Sequence, residues 1–464
     1  MPRTQVRVVR AANKNKIDKR EENVAIKTLE EYDDGSAVLI DARQMASSRR
    51  RILVAGTIGT AIEWYDFFIY GLIAPLVFDQ LFFPKFDQLT ATIAVFATFA
   101  VGFLARPFGG LVFGHFGDRL GRRSVLLCTL LMMGLATMAI GLLPTYGSVG
   151  VIATVALVVL RFVQGFALGG ESTAAGLMAI ETSPGGQRGF SAAVIQAAGP
   201  LGVVLASFAA LEISRLPQAD LLSWGWRVPF LISAVLVILG AYMRLRIEES
   251  ATFRGAPELA AVPAIEAIRT HWRSIMIVFF AEMAQTSYFY LTAIFTISFA
   301  TRQLGVEKDV VTRAVLFANL VALIAMPLIG AWSDRIGRKR LFLAGLAIAA
   351  VSMLVFYNVV ASRDTLLVST ALVLAAGVIH PLMFSTEGSY FPELFPTQIR
   401  FTGVSIGKQF GVVFGGGMAP LVATSLFAQT GTTHAITGYY VALAVAAVIA
   451  LSFAQETSRS RLLG

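Results

Sequence analysis

GHFGDRLGRRS at residues 114–124 and GAWSDRIGRKR at residues 330–340 are two copies of one pattern, set 216 positions apart. Asp118 maps onto Asp334, Arg119 onto Arg335, Gly121 onto Gly337 and Arg122 onto Arg338. Each copy is a short charged break with glycine between long apolar runs, so each reads as a tight loop joining two helices. The same offset carries Asp66 onto Glu282 and Glu171 onto Glu387, acid onto acid inside the apolar runs. Self-similarity over this period predicts two halves of like structure.

The runs around these loops belong in hydrocarbon. Of 464 residues, 56% are hydrophobic and 14% charged, and the mean hydropathy is +0.69; an average soluble domain has about 25% charged residues. Residues 1–51 hold 20 of the charges, 12 Lys/Arg and 8 Asp/Glu, so the remainder is poorer still. A membrane helix needs about 20 mostly apolar residues. Twelve stretches qualify, near 52–79, 89–113, 124–143, 149–180, 189–213, 226–245, 273–300, 312–332, 341–360, 365–391, 400–427 and 435–454. The fold class expected is an all-α membrane protein with twelve transmembrane helices in two pseudo-repeated six-helix halves. The halves are 52–245 and 273–454, joined by a polar linker at 246–272. Segment 1–51 mixes both signs without apolar periodicity and is expected to be disordered, with Met45 a plausible start; 455–464 is a short tail. An even number of spans puts both termini on one side. The loops on that side hold most of the Lys and Arg and the opposite loops seven, so the positive-inside rule makes both termini cytoplasmic. The basic balance is thereby explained without nucleic acid.

Charge inside a span costs at least ~2.5–3.5 kcal/mol per residue, which marks each instance as a candidate site. Glu63, Asp66 and Tyr70 share one face of the first span at mid-membrane depth, where two acids one turn apart resist joint ionisation and suit proton carriage. Arg161 and Gln164 share a face of the fourth span with Glu171. Arg161 cannot give up its proton, so it is an anion clamp or the cation that tunes Glu63 or Asp66. In the seventh span Glu282, Gln285 and Phe289 align; in the tenth, His380 and Glu387 do. Arg106 in the second span and Lys408 in the eleventh lie where long stems either snorkel or face a solute. Gly403, Gly407, Gly411 and Gly415 form a ladder that lets helices approach closely.

Other chemistries are excluded. Cys128 is the sole cysteine, so there is neither a disulfide nor a thiolate metal cluster. GVSIG at 403–407 matches a nucleophile elbow but lies within a membrane helix, and GKQ at 407–409 lacks the spacer and hydroxyl of a phosphate loop. No enzyme, ATP-driven pump, cofactor or metal is expected.

Further motifs carry a resemblance. GHFGDRLGRR (114–123) resembles the loop signature of the major facilitator superfamily, and LVVLRFVQG (157–165) its fourth-span motif. EWYDFFIYG (63–71), ARPFGGLVFGHFGDR (105–119), GGE (169–171), SWGWRVPF (223–230) and the run at 393–420 narrow this to the metabolite:proton symporter family. FFP (82–84) and RIEESATF (246–253) look most like its shikimate transporter branch. The resemblance implies a monomeric symporter of the bacterial inner membrane that takes up a small organic anion with protons by alternating access. It makes Glu63, Asp66 and Arg161 the proton-coupling groups and Asp118, Arg119 and Arg122 the gate; the repeat adds Glu282 to the first set and Asp334, Arg335 and Arg338 to the second. Arg106, Arg161, Gln164, Gln285, His380 and Lys408 would bind the solute. Lys408, His380 and the STAAG after GGE depart from the family pattern, which bears on the solute. A zwitterion symporter of the proline/betaine kind, a drug antiporter hinted at by AGPLG (198–202), and a non-transporting nutrient sensor are the competing readings.

Overall fold

A chain that crosses hydrocarbon must satisfy its backbone N–H and C=O groups within itself, and helices do so. The computed structural model describes residues 42–184, 186–245 and 263–458, and no strand occurs among them. The first half holds α1 (Ala42–Phe82), α2 (Gln88–Leu120), α3 (Arg122–Leu142), α4 (Val151–Glu181), α5 (Arg188–Ser214) and α6 (Gln218–Leu245). In the second, α7 (Trp272–Phe289) continues through wide turns at Tyr290–Phe295 and Phe299–Gln303, followed by α8 (Lys308–Ile336), α9 (Arg338–Ala361), α10 (Thr365–Glu393), α11 (Thr397–Thr430) and α12 (His434–Ser452). Eleven of these are long and apolar enough to cross a membrane; α7 is the more polar one, carrying Glu282, Gln285, Thr286 and Ser287. All twelve apolar stretches of the sequence are thus helical.

Local chemistry sets the ends. Asp87 accepts from Thr90 N at 3.2 Å at the start of α2, and Asp364 accepts from Leu367 N at 2.9 Å at the start of α10. Gly121 and Gly337, equivalent in the repeat, have φ of +96° and +116°. Only glycine adopts that backbone without strain, so the turns α2–α3 and α8–α9 are fixed alike. Contacts inside the first half are close: a Cβ on Gly165 would lie 2.0 Å from Gly102 O, and one on Gly169 2.2 Å from Arg106 O, so α2 and α4 touch backbone to backbone. The ladder of α11 does the same against α7, where a Cβ on Gly415 would meet Met283 O at 2.4 Å.

Each half packs its own apolar core, Tyr70, Phe78, Trp226 and Phe230 in the first and Tyr288, Phe342, Tyr357 and Tyr440 in the second. Outward, Leu135, Ile152, Val235, Ile238, Ile324, Val351 and Leu421 are exposed, a surface suited to lipid. The halves meet along α2 against α11 and α5 against α8, with Gly114 beside Thr402 and Gly189 beside Gly330.

Three boundaries need comment. Residues 42–51, expected to be disordered, are helical as the first turns of α1; ARQMASSRRR contains no glycine or proline to break the helix. Residues 1–41 lie outside the described residues, as do 246–262 of the linker and 459–464 of the tail. Within the linker, Pro263–Thr270 is a short helix.

Candidate functional site

A cavity of about 60 Å³ lies between the halves. Thr60 and Trp64 reach it from α1, Arg106 from α2, Gln196 and Pro200 from α5, and Asn319, Ala322 and Met326 from α8. Glu282, Gln285, Thr286 and Phe289 come from α7, with Tyr290 at its wide turn. His380 and Phe384 come from α10 and Lys408 from α11. The volume is well under the ~150 Å³ of a cavity that takes up benzene.

The walls are wired by hydrogen bonds. His380 Nε2 donates to Gln285 Oε1 at 2.9 Å, Gln285 Nε2 to Thr286 Oγ1 at 3.0 Å, and Thr286 Oγ1 to Glu282 Oε1 at 3.0 Å. His380 is flanked by the rings of Phe289 and Phe384, with centroids at 4.9 and 5.1 Å. Glu387 stands beside Glu282 and takes an ion pair from Lys408 Nζ at 2.8 Å. Arg106 Nε donates to Gln409 Oε1 at 3.0 Å, and Gln409 Nε2 to Gly169 O at 3.0 Å. Arg106 and Lys408 are buried and held, so neither snorkels to the membrane surface.

Of the six residues expected to bind solute, Arg106, Gln285, His380 and Lys408 line the cavity; Arg161 and Gln164 do not. Arg161 is fully buried one layer behind, its guanidinium 4.4 Å from the ring centroids of Phe67 and Tyr70 and 4.7 Å from Phe99. It donates to Gln164 Oε1 at 3.0 Å, and Gln164 Nε2 donates to Thr137 Oγ1 at 2.7 Å. Its Nε and Nη2 have no partner among the described residues.

The first-span acids also part company. Glu63 pairs with Arg244 Nη1 at 3.4 Å, and Arg244 binds Glu171 as well, which accepts from Thr129 Oγ1 at 2.8 Å. Glu63 is therefore neutralised by Arg244, and neither its carboxyl nor that of Asp66 faces the cavity. Asp66 is fully buried, with Thr137 and Ser233 beside its carboxyl but neither oxygen in hydrogen-bonding geometry. The chain from Arg161 through Gln164 ends at Thr137, whose hydroxyl donates to Met133 O at 2.9 Å, one step short of the Asp66 carboxyl.

Two charged clusters join the halves at the end of the bundle where the repeats lie. Asp118 accepts from the backbone N of Phe401 and Thr402 at 3.2 and 2.8 Å and from Thr402 Oγ1 at 2.8 Å, while Arg122 bridges Asp118 and Glu181, both at 3.4 Å. Arg400 reaches Glu181 at 3.5 Å. In the second cluster Asp334 accepts from the backbone N of Gly189 and Phe190 at 2.8 and 3.0 Å, and Arg338 binds Asp334 at 3.1 Å and Glu393 at 2.8 Å. Arg188 lies 3.8 Å from Glu393. Arg119 and Arg335, expected in the gate, are exposed; Arg119 lies 3.4 Å from His115 on its own helix. One residue past the acid, a helix has turned about 100° off the interface, whereas Arg122 and Arg338 follow the turns at Gly121 and Gly337 as the first residues of α3 and α9 and bind back to the acid.

Arg244, Gln196, Gln409, Glu181, Arg188, Glu393 and Arg400 were not singled out by the sequence. A second offset would have found four of them: Glu181 and Glu393, and Arg188 and Arg400, are each 212 positions apart.

Comparisons with known proteins give the family and the fold. The family described as "Sugar (and other) transporter" matches residues 52–256, and "Major Facilitator Superfamily" matches 283–462. The Shikimate transporter of Escherichia coli (strain K12) is 34% identical over 403 residues, covering 85% of this chain and 92% of that one. The Inner membrane metabolite transport protein YhjE of the same strain is 36% identical over 425 residues, covering 90% and 96%. The Proline/betaine transporter of Salmonella typhimurium is 30% identical over 444 residues, covering 93% and 87%. The solved structure of the proton:xylose symporter XylE bound to 6-bromo-6-deoxy-D-glucose superposes with a TM-score of 0.73 at 18% identity, over 90% of this chain and 98% of that one. The chain belongs to the major facilitator superfamily. It is a multi-pass membrane transporter, not an enzyme.

Proposed function

We propose that the chain carries a small organic carboxylate into a bacterial cell together with protons, by alternating access of the cavity between the halves. The observation that carries this is that Arg106 from the first half and His380 and Lys408 from the second all line the cavity. Asp66, buried with neither oxygen hydrogen-bonded and with Thr137, where the Arg161–Gln164 chain ends, beside its carboxyl, is the proton-coupling acid whose neutral form permits reorientation. Arg161 and Gln164 tune it from outside the cavity, Glu63 serves as counter-charge to Arg244, and Glu282 ends the relay from His380. Asp118, Arg122, Asp334 and Arg338 form the gate, which lies on the cytoplasmic side with both termini, in keeping with the Lys/Arg bias of the loops. The transporter works as a monomer.

The cavity also favours a second reading. Glu282 and Glu387 balance the cations, and a proline- or betaine-like zwitterion would find both a cationic and an anionic partner there. Proteoliposome uptake separates the two: shikimate and dicarboxylates should accumulate under an imposed pH gradient, and Asp66→Asn should abolish accumulation while leaving exchange of labelled solute. Accumulation of betaine or proline instead would reject the carboxylate assignment.

A further inference from the structure

Lys408 lines the cavity and is already occupied. Its ammonium donates to Glu387 Oε1 at 2.8 Å, and Gln196, from the other half, donates to the same oxygen at 2.9 Å. Glu387 is fully buried, and its Oε2 has no hydrogen-bond partner among the described residues. The charged and titratable groups around it are Lys408 on α11, Glu282 on α7, Arg106 on α2 and, on its own helix, His380. A carboxylate entering the cavity thus meets an ammonium that a carboxylate of the protein already holds, with a second acid alongside. Adding a third negative charge to that corner is opposed by Coulomb repulsion in a medium of low dielectric.

We propose that Glu387 is an internal competitor of the solute for Lys408. Ionised, it keeps Lys408 and the carboxylate site is shut; protonated, it releases Lys408 to the solute. This rests on the carboxylate reading above. One O–H bond breaks as another forms: a hydronium ion from the outside solution gives its proton to Glu387 Oε2 and leaves as water, Lys408 stays an ammonium, and the solute carboxylate takes the vacated hydrogen bond. On release into the cell the proton leaves Glu387, which reclaims Lys408 and expels the solute. Glu387 acts through Lys408 and couples binding to protonation. Asp66, in contrast, governs reorientation.

The test uses full-length purified protein. Shikimate, succinate, 2-oxoglutarate and benzoate are screened by thermal shift, and the strongest stabiliser is carried forward. A panel with no stabiliser overturns the carboxylate reading and the competitor with it. With a binder in hand, wild-type affinity should rise about tenfold per pH unit lowered, with about one proton taken up per carboxylate in calorimetry across buffers of different ionisation heat. Glu387→Gln should bind the carboxylate more tightly than wild type at alkaline pH, with neither the slope nor the proton uptake. Asp66→Asn should keep both. A Glu387→Gln protein that binds more weakly, or keeps the slope, overturns the competitor role while the carboxylate reading stands. Should that variant fail to fold, the proton count decides. Uptake that persists in Asp66→Asn supports the proposal; uptake absent from wild type, or abolished by Asp66→Asn, sinks it.

Discussion

Asp118 and Asp334, 216 positions apart, each cap the first turn of a helix in the opposite half: Asp118 binds the backbone N of Phe401 and Thr402 on α11, and Asp334 that of Gly189 and Phe190 on α5. The receiving pairs are themselves 212 positions apart, so the two contacts are the same contact made reciprocally. An anion at a helix N-terminus meets free N–H groups and the positive end of the dipole, which favours the joined arrangement at both places.

Removing one cap should therefore tilt the equilibrium between joined and parted ends without touching the cavity. A lost cap is worth about 0.5–2 kcal/mol, a roughly 2- to 30-fold shift. Asp118→Asn and Asp334→Asn should each change turnover by that order and leave solute affinity near wild type, and the double variant should label readily at cysteines placed in the interface. A loss confined to affinity in either variant would contradict the gate assignment.

The ion pair in the cavity makes a stability prediction. Lys408→Met leaves Glu387 buried without its cation, and stranding one member of a buried pair costs about 3–5 kcal/mol. Lys408→Met with Glu387→Gln should regain most of the lost thermal stability and still fail to transport. Equal melting of the single and double variants would show the pair contributes nothing.

If Glu387 and Asp66 each carry a proton, a monoanion moves with one net positive charge, and uptake gains ~2.3 kcal/mol per 100 mV of inside-negative potential. Potassium-diffusion potentials in proteoliposomes measure this. Glu387→Gln should respond to the pH gradient but not to the potential; a potential-driven Glu387→Gln would refute the two-proton count.

Arg161 is held by three aromatic faces and one amide, a site for a planar guanidinium. Arg161→Lys should fail to restore concentrative uptake although it keeps the charge, because an ammonium stacks poorly and reaches Gln164 at one point. Wild-type uptake with lysine would reduce Arg161 to a bare cation.

Beyond α12, Glu456 accepts from the backbone N of Arg338 at 2.7 Å and of Ser458 at 3.1 Å, tying the tail to the first turn of α9. Its burial raises its pKa, but the backbone N–H groups of Arg338, Ser458 and Arg340 outweigh that and hold it below the usual glutamate value. With the folded pKa depressed, the contribution to stability is present above about pH 4.3, the unfolded value, and is lost as pH falls through the folded one. Proteolysis of the tail should accordingly be unchanged from pH 8 to 5 in wild type and faster throughout in Glu456→Gln.

The repeat made the gate acids legible, since Asp118 and Asp334 announce each other. Glu181, Glu393, Arg188 and Arg400 stayed hidden because the stretch from Glu171 to Glu181 in α4 is four residues longer than that from Glu387 to Glu393 in α10, so no single offset aligns a whole half. In α1, equal spacing put Glu63 and Asp66 on one face, yet α1 is enclosed by other helices and has no single interior. Arg244 of α6 claims one acid, and Thr137 of α3 with Ser233 of α6 flank the other. Arg244 itself, in the last turn of α6, reads in sequence like a headgroup-facing cation. The cavity cations were legible as charges inside apolar runs, but their pairing with Glu387 and Gln409 depends on packing that no periodicity encodes.

The wide turns give the cavity a mechanical character of its own. Tyr290–Phe295 follows Phe289 on α7, Ala375–Ile379 runs into His380 on α10, and Val413–Gly417 follows Val412 on α11. Across from them α1 and α2 run for 41 and 33 residues with no wide turn, although Pro107 lies inside α2 beside Arg106. A loosened turn is where a helix bends most easily, so the side of the cavity built by α7, α10 and α11 is jointed at these turns. A solute is then sorted by what it pushes as well as by what it pairs with. One that satisfies Lys408 but is too slight to flex those joints would be a lodger in the cavity, an inhibitor and not cargo.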